Sequence, residues 1–370
     1  MNAARSANRP ANRPANRPAA ASPQVRDFAT TGAGFAIEWD VRPVYDFLFS
    51  LTDEVGRTED LPEADRTWLR ETKAAMPAEV RAEFDGGIFA AELGIFIAGF
   101  AVDRPEIQTA VAFVDALDAV STDDLLSAIL RDLEREPELG GLVRRAIAGD
   151  LEALDALRDH MPDHKAGIHA LLSDPPDAHR RIVRVLRAWA RPFAAIEPRI
   201  RTMLERDHAL RAADPSTYTG SELIERTTGG VRWLGEVGIR RVILAPSYFS
   251  RPFNFLLAGD DWRFFGYPVA DEALEDVDRL SPPAAVVRLH RALGDGTRLR
   301  ILKLLAGKDL YLTEIAQQLD LSKPTIKHHL ALLRAAGLVT VTESGAVIYY
   351  TLRRERVEAA SADLAGFLVP

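Results

Sequence analysis

The side chains best placed to do chemistry lie near the C-terminus, in Ser322-Lys323-Pro324-Thr325-Ile326-Lys327-His328-His329-Leu330-Ala331-Leu332-Leu333-Arg334. Hydroxyl, ammonium, imidazole and guanidinium donors crowd one short stretch. Ammonium and guanidinium groups hold phosphate or donate to guanine O6 and N7, and imidazole does either more weakly. The chemistry on offer is recognition of a polyanion, not bond making. Spacing divides the stretch into two faces. With Ile326 at zero and about 100° per residue, Leu330 and Leu333 fall within roughly 40° of it. Lys327 at about 100°, Ala331 at about 140° and His328 at about 200° face away, and His329 sits at the edge of the apolar stripe. Ser322 is a natural N-cap, and Pro324 is tolerated in the first turn. The stretch predicts a helix that buries Ile326, Leu330 and Leu333 and offers Lys327 and His328 to a groove.

Other reactive side chains form no set. His160 and His164 stand at i, i+4 with His169 nearby, a metal-ligand spacing, but Pro162 interrupts the pair and a polar loop is expected. Ser247 lacks the Gly-x-Ser-x-Gly elbow. Gly32-Ala33-Gly34 precedes a strand, not a strand-to-helix turn. The sequence has no cysteine, which excludes disulfides, thiolate metal sites and cysteine nucleophiles. No constellation looks enzymatic, and no catalytic residue, cofactor or metal is expected.

The elements that must hold the donor-rich helix follow from the flanking residues. Residues 284–293 predict a helix with Val287 and Leu289 apolar. Thr297 is expected to cap 298–305, where Leu299, Ile301, Leu302, Leu304 and Leu305 build a core. Beyond Gly307, Thr313 is expected to cap 314–319, and Asp320-Leu321-Ser322 turns directly into the next helix. Two helices across a tight turn, the second presenting polar side chains, is the helix-turn-helix plan. Leu338–Thr342 and Val347–Leu352, joined through Ser344-Gly345, alternate as a hairpin that would form a wing, and Arg353, Arg354 and Arg356 follow. Charge agrees. Residues 284–358 carry 12 basic and 7 acidic side chains, whereas residues 27–283 carry 29 and 46, and the whole chain is at −8. The C-terminal segment is the part of the predicted fold biased towards polyanions.

Gly294-Asp295-Gly296-Thr297-Arg298-Leu299-Arg300-Ile301-Leu302, Leu312-Thr313-Glu314-Ile315-Ala316, Leu321 to Leu330 and Ala336-Gly337-Leu338-Val339 together resemble the ArsR-type winged helix-turn-helix of bacterial transcription regulators. The resemblance covers residues 284–358. It implies a dimer joined through terminal helices, with the fourth helix of each module in the major groove of a palindromic double-stranded operator. It places Lys323, Pro324, Thr325, Lys327 and His328 at DNA-facing positions, with Ser322 capping the helix and touching a phosphate. Arg334, Arg353 and Arg354 complete the expected contacts. The metal-sensing chemistry of many relatives does not carry over. Leu310-Tyr311-Leu312 stands where they carry a Cys-x-Cys-like pair, and residues 354–370 hold no histidine, although Glu355, Glu358 and Asp363 are present. The wing tip, Glu343-Ser344-Gly345, lacks a basic residue, so the wing stands off the DNA or is held by Arg353 and Arg354.

The expected fold is mostly α with small β elements: a multi-helix N-terminal domain with a short β layer, plus the C-terminal winged helix-turn-helix. Residues 1–26, with Ala-Asn-Arg-Pro three times over, are expected to be a disordered low-complexity tail. Residues 27–280 form a sensing or dimerising domain, and 359–370 the final helix end and tail. Within 27–280, a strand is expected at Phe35–Trp39, one buried helix from Ile88 to Phe100, and a long helix from Ala178 to Arg211 kinked or broken at Pro192 and Pro198. A β layer is expected over 229–270 with a hairpin at Gly259-Asp260-Asp261, and a linker at Ser281-Pro282-Pro283. Trp39, Tyr248, Phe249, Phe253, Trp262, Phe264, Phe265 and Tyr267 are expected to form an aromatic core between sheet and helices.

No run reaches the roughly 18 apolar residues of a membrane span, and no signal peptide is evident. The expected protein is a cytoplasmic, homodimeric DNA-binding transcription regulator, answering to a small-molecule effector of unspecified identity. A second reading makes the N-terminal body an enzyme or scaffold and the winged helix a protein-docking module. It predicts a covered basic face or a catalytic cluster in the body; Lys323 and Lys327 buried against that body would favour it or indicate autoinhibition.

Overall fold

The computed structural model describes residues 26–30, 34–52, 60–85, 87–91, 93–135, 138–160, 165–212, 218, 220–274, 282–344 and 347–369. The N-terminal tail, 1–25, lies outside them, and Arg26 already belongs to a strand. Strands β1 (Arg26–Thr30) and β2 (Ala36–Asp40) pair antiparallel. A helical body follows: α1 (Val44–Phe49), α2 (Glu63–Ala75), α3 (Ala78–Phe84), α4 (Leu93–Val102), α5 (Ala110–Ala119), α6 (Thr122–Arg135), α7 (Gly140–Ile147), α8 (Leu151–His160), α9 (Lys165–Ser173), α10 (Pro175–Ala212) and α11 (Gly220–Thr228). Strands β3 (Val231–Trp233), β4 (Arg241–Ser247), β5 (Phe255–Ala258) and β6 (Trp262–Pro268) close this part of the chain. Among the described residues, no helix is long and apolar enough to cross a membrane.

The body sheet runs β1-β2-β4-β6-β5, with β2, β4 and β6 parallel and an antiparallel strand at each edge. The Phe35–Trp39 strand thus joins the β layer, and the hairpin at Gly259-Asp260-Asp261 links β5 to β6. Period-two alternation splits the apolar residues of β4 and β6 between two cores. Ile243, Ala245 and Phe264 face the helices, whereas Val242, Leu244, Phe265 and Tyr267 face α11 and β3 with Ile37 and Trp39. The aromatic residues therefore serve both faces of the sheet, not one core. Asp46 of α1, fully buried, ties the helices to the end of β4: its Oδ1 accepts from Ser247 Oγ at 2.9 Å and from the Phe249 amide at 2.7 Å.

One helical expectation is corrected, and the break allowed for in a second is absent. The single helix from Ile88 to Phe100 is a 3-10 turn, Ile88–Ala91, followed by α4. Uniform apolarity signals burial but says nothing about continuity. The long helix α10 runs 38 residues through Pro192 and Pro198 without a break. Each proline costs about 3 kcal/mol locally, but the helix buries Ile182, Val185, Leu186, Trp189, Phe193, Ile200, Met203 and Leu204. Burying a side chain of this size contributes about 1.5–3 kcal/mol, so packing outweighs the local penalty.

The C-terminal part comprises α12 (Ala284–Leu293), α13 (Gly296–Leu305), β7 (Leu310–Tyr311), α14 (Leu312–Leu319), α15 (Lys323–Ala335), β8 (Val339–Ser344), β9 (Val347–Leu352) and α16 (Arg354–Leu368). Most of the linker ahead of it, 275–281, lies outside the described residues, and Pro283 is the N-cap of α12. Its core is Leu289, Ile301, Leu302, Leu305, Ile315, Leu319, Ile326, Leu330, Leu333 and Leu338. Leu299 stands outside it, 49% exposed. The α13 cap is Asp295, which accepts from the Arg298 amide at 2.8 Å, not Thr297. At α14, Glu314 reaches back to the Tyr311 amide at 2.9 Å, so the helix starts before Thr313.

The wing sheet has the order β3-β8-β9-β7. Its outer strand comes from the body. Residues 229–270 are therefore not one β layer: β3 leaves the others and pairs parallel with β8, Val231 opposite Val341 and Trp233 opposite Glu343. The Val341 amide donates to the Gly230 carbonyl at 2.9 Å. Gly230 has φ +124°, and a Cβ there would stand 3.2 Å from the Val339 carbonyl oxygen. Only glycine combines that backbone angle with so close an approach. Val341 completes the apolar cluster around Trp39, Trp233 and Phe265, with Tyr350 packed against it.

Candidate nucleic-acid interface

Helix α14 ends at Asp320, whose left-handed backbone, φ 55° and ψ 50°, reverses the chain. Aspartate tolerates this conformation better than most side chains. Two residues on, Ser322 Oγ accepts from the Thr325 amide at 3.3 Å and lies 2.7 Å from the Thr325 hydroxyl. That cap sets the direction of α15. Ile326, Leu330 and Leu333 are completely buried, which fixes the helix rotation. Ser322, Lys323, Pro324, Thr325, Lys327 and His328 are then all exposed, on the first two turns.

His329 is 16% exposed, with Nδ1 3.9 Å from the Asp295 carboxylate. Burial holds its imidazole below the ordinary histidine range, opposed by Asp295 and reinforced by Arg298 and His328. Asp295 is itself held low, chiefly by the amide hydrogen bond from Arg298. The ring of His329 thus braces α15 against the start of α13, while the adjacent His328 projects outward.

The remaining three basic residues are placed elsewhere. Arg334 is partly buried near the C-terminal end of α15. Arg353 lies close to Gly337, beyond that end, and donates through Nε to Glu355 at 3.1 Å. Arg354 donates to the Ala306 carbonyl at the end of α13. At 1.5 Å per residue, Arg334 stands roughly 9 Å along the helix axis from His328, while Arg353 and Arg354 belong to the start of α16. The structure brings six of the nine residues together and sets three apart. Of the wing tip, residues 345 and 346 lie outside the described residues, as do the side chains of Glu343 and Ser344.

The other reactive residues are engaged locally. His160 Nδ1 donates to the Ala156 carbonyl at 2.8 Å, His169 meets Ser173 Oγ at 3.0 Å, and His164 lies outside the described residues. Ser247 is buried and bonded to Asp46. Two site features were missed in the sequence. The Asp295 cap was signalled by an aspartate three residues ahead of Arg298. The pairing of β3 with the wing had no local signal.

A capped helix-turn-helix, an antiparallel hairpin behind it and an exposed donor-rich second helix define a winged helix-turn-helix module. Residues 295–341 match the bacterial regulatory protein, arsR family. The chain is 42% identical over 64 residues to the transcriptional repressor SdpR of Bacillus subtilis, spanning 17% of this chain and 71% of that protein. It is 37% identical over 78 residues to the HTH-type transcriptional regulator KmtR of Mycobacterium tuberculosis, spanning 21% and 60%. It is 34% identical over 86 residues to the transcriptional activator HlyU of Vibrio cholerae, spanning 23% and 78%. The chain belongs to the arsR family through this module. Each match takes in about a fifth of the chain, and the match to KmtR covers less than two thirds of that protein.

Proposed function

We propose that this protein is a DNA-binding transcription regulator that places α15 in the major groove of a double-stranded operator. One observation carries the reading: α15 is capped and rotated so that its apolar residues are fully buried while Ser322, Lys323, Thr325, Lys327 and His328 share exposed turns. Lys327 and His328 face base edges, and Ser322, Lys323 and Thr325 hold phosphates. Pro324 fixes the approach of the first turn. Arg334 near the end of α15, and Arg353 and Arg354 at the start of α16, would add contacts away from the first two turns, to phosphates rather than base edges.

A homodimer fits the terminal helix. In α16 only Ala360 is buried, while Val357, Leu368 and the following Val369 are 39%, 66% and 68% exposed. That face suits a second copy, whose α15 would meet the next half-site about one helical turn, roughly 34 Å, away. The body, 27–280, acts in the cytoplasm as the sensing part. With no cysteine in the sequence, it does not signal through a thiolate-bound metal. Burial of Lys323 and Lys327 against the body would favour the protein-docking alternative, and both are exposed.

The test is a fluorescence-anisotropy titration against DNA upstream of the chain's own gene, at several salt concentrations. Specific binding should weaken with salt with a slope near −0.9 per phosphate neutralised. Lys327→Ala with His328→Ala should cost roughly 1–3 kcal/mol per lost base contact and relax sequence preference. Binding with no sequence preference, unchanged in that double variant, would sink the reading.

A further inference from the structure

The end of α10, helix α11 and the β9–α16 junction line an open cavity of about 560 Å³. It straddles the seam between the two parts of the chain. Leu210, Arg211, Tyr218, Leu223 and Arg226 come from the body and Arg353 from the winged helix. Its charges are unevenly satisfied. Arg211 is held by the buried Asp207 at 2.9 Å, and Glu225 takes two hydrogen bonds from Arg232, at 2.9 and 3.2 Å. Glu222, also on the wall, is open to solvent. Arg226 is different. Its guanidinium carbon lies 4.4 Å from the centroid of the Tyr218 ring, and among the described residues no carboxylate is in ion-pair contact with it. The partner of Arg353, Glu355, is 67% exposed, so water screens that pair. The wall thus combines two weakly neutralised guanidinium groups with the apolar surfaces of Leu210 and an aromatic ring.

We propose that this cavity binds a small organic carboxylate with a flat apolar body. Arg226 and Arg353 share the carboxylate, since guanidinium forks match its two oxygens. Tyr218 and Leu210 cover the rest of the molecule. The lining mixes charged groups with apolar patches, so a ligand here must carry both a charge and an apolar part. The location makes the site regulatory. The Arg353 amide donates to the Leu338 carbonyl at 2.9 Å, and its peptide joins β9 to α16. A ligand that draws Arg353 towards the body moves the junction of wing and terminal helix. This consequence rests on the DNA-binding reading; the site itself does not.

Benzoate is the probe, with benzamide as its uncharged counterpart, each titrated into the full chain at constant ionic strength. Calorimetry and thermal unfolding read the binding, because a ligand that binds only the folded state raises Tm. Saturable benzoate binding is expected, with benzamide much weaker. Arg226→Gln and Arg353→Gln should each weaken benzoate roughly tenfold or more, as loss of a charge-assisted hydrogen bond does. Arg226 is exposed and among the described residues makes no ion pair, so its variant retains the fold, checked by circular dichroism. Benzoate binding no better than benzamide, or unchanged in both variants, overturns the site. Operator affinity is then measured with and without saturating benzoate, and linkage requires the same factor in reverse. A chain that binds both independently overturns the regulatory coupling. A chain that binds benzoate but no operator upholds the site and removes the DNA-binding reading instead.

Discussion

The seam between body and wing can be tested by weakening it from one side and reading it from the other. Trp233, 2% exposed, anchors β3 to the body against Phe35 and Phe265, with ring centroids at 5.0 and 6.2 Å. Its backbone meanwhile pairs with β8. Truncating a buried tryptophan to alanine costs about 3–5 kcal/mol. In Trp233→Ala that loss falls on the attachment of β3, because the winged-helix core is built from other residues. The reporter is the Val341 amide, whose hydrogen bond goes to Gly230 of the body. If the seam opens as its own unit, about 3 kcal/mol less protection raises the exchange rate of that amide roughly a hundredfold, at 1.4 kcal/mol per tenfold. Native-state hydrogen exchange measures this directly. The Leu330 and Ile315 amides, inside the module, serve as controls and should keep their protection. An unchanged Val341 rate, or an equal rise at Leu330 and Ile315, would refute a separable seam.

Three further outcomes follow from the same structure. Ser322→Ala should lower the stability of the module by about 1 kcal/mol, the usual worth of an N-cap, seen as a lower urea midpoint with an unchanged m value. Asp46 is fully buried, and burial pushes its carboxyl up to about 7 against the hydrogen bonds from Ser247 and Phe249. The folded chain then keeps a proton that the unfolded chain releases near pH 4. Its stabilising contribution is therefore full below the ordinary aspartate range and lost as pH rises through about 7. Asp46→Asn should flatten stability against pH over that window, and an unaltered profile would argue against a protonated Asp46. His329, held low by burial, has the opposite sign. The unfolded chain takes up the proton first, so stability should fall as pH drops below about 6.5, and His329→Gln should remove that part of the slope in denaturation curves.

Residue order alone was enough for features whose physics is local. The rotation of α15 followed from the spacing of Ile326, Leu330 and Leu333, because a helical period converts sequence distance into a face. The Ser322 cap, the hairpin after Gly337 and the net positive charge of 284–358 were equally legible. The resemblance built on those motifs covers the same region as the matched residues 295–341. Caps with close competitors were harder: Asp295 and Thr297 both suit the start of α13, and packing chose the aspartate.

Decisions made between distant parts of the chain required the tertiary structure. Pro192 and Pro198 predict a break by their own chemistry, yet the buried face of α10 carries the helix through both. Arg353 and Arg354 follow the wing in sequence, and only the fold sets one beside the body and the other on the end of α13. Strand β3 is the clearest case. Val231-Arg232-Trp233 is too short to announce its partner, and strand pairing depends on which edge is free and which apolar face remains uncovered. The free edge belonged to β8, about 110 residues further along. The residues fixed what α15 presents, because that depends on a period of a few residues. Only the fold decided what the helix is attached to, because that depends on surfaces that meet after the chain has closed on itself.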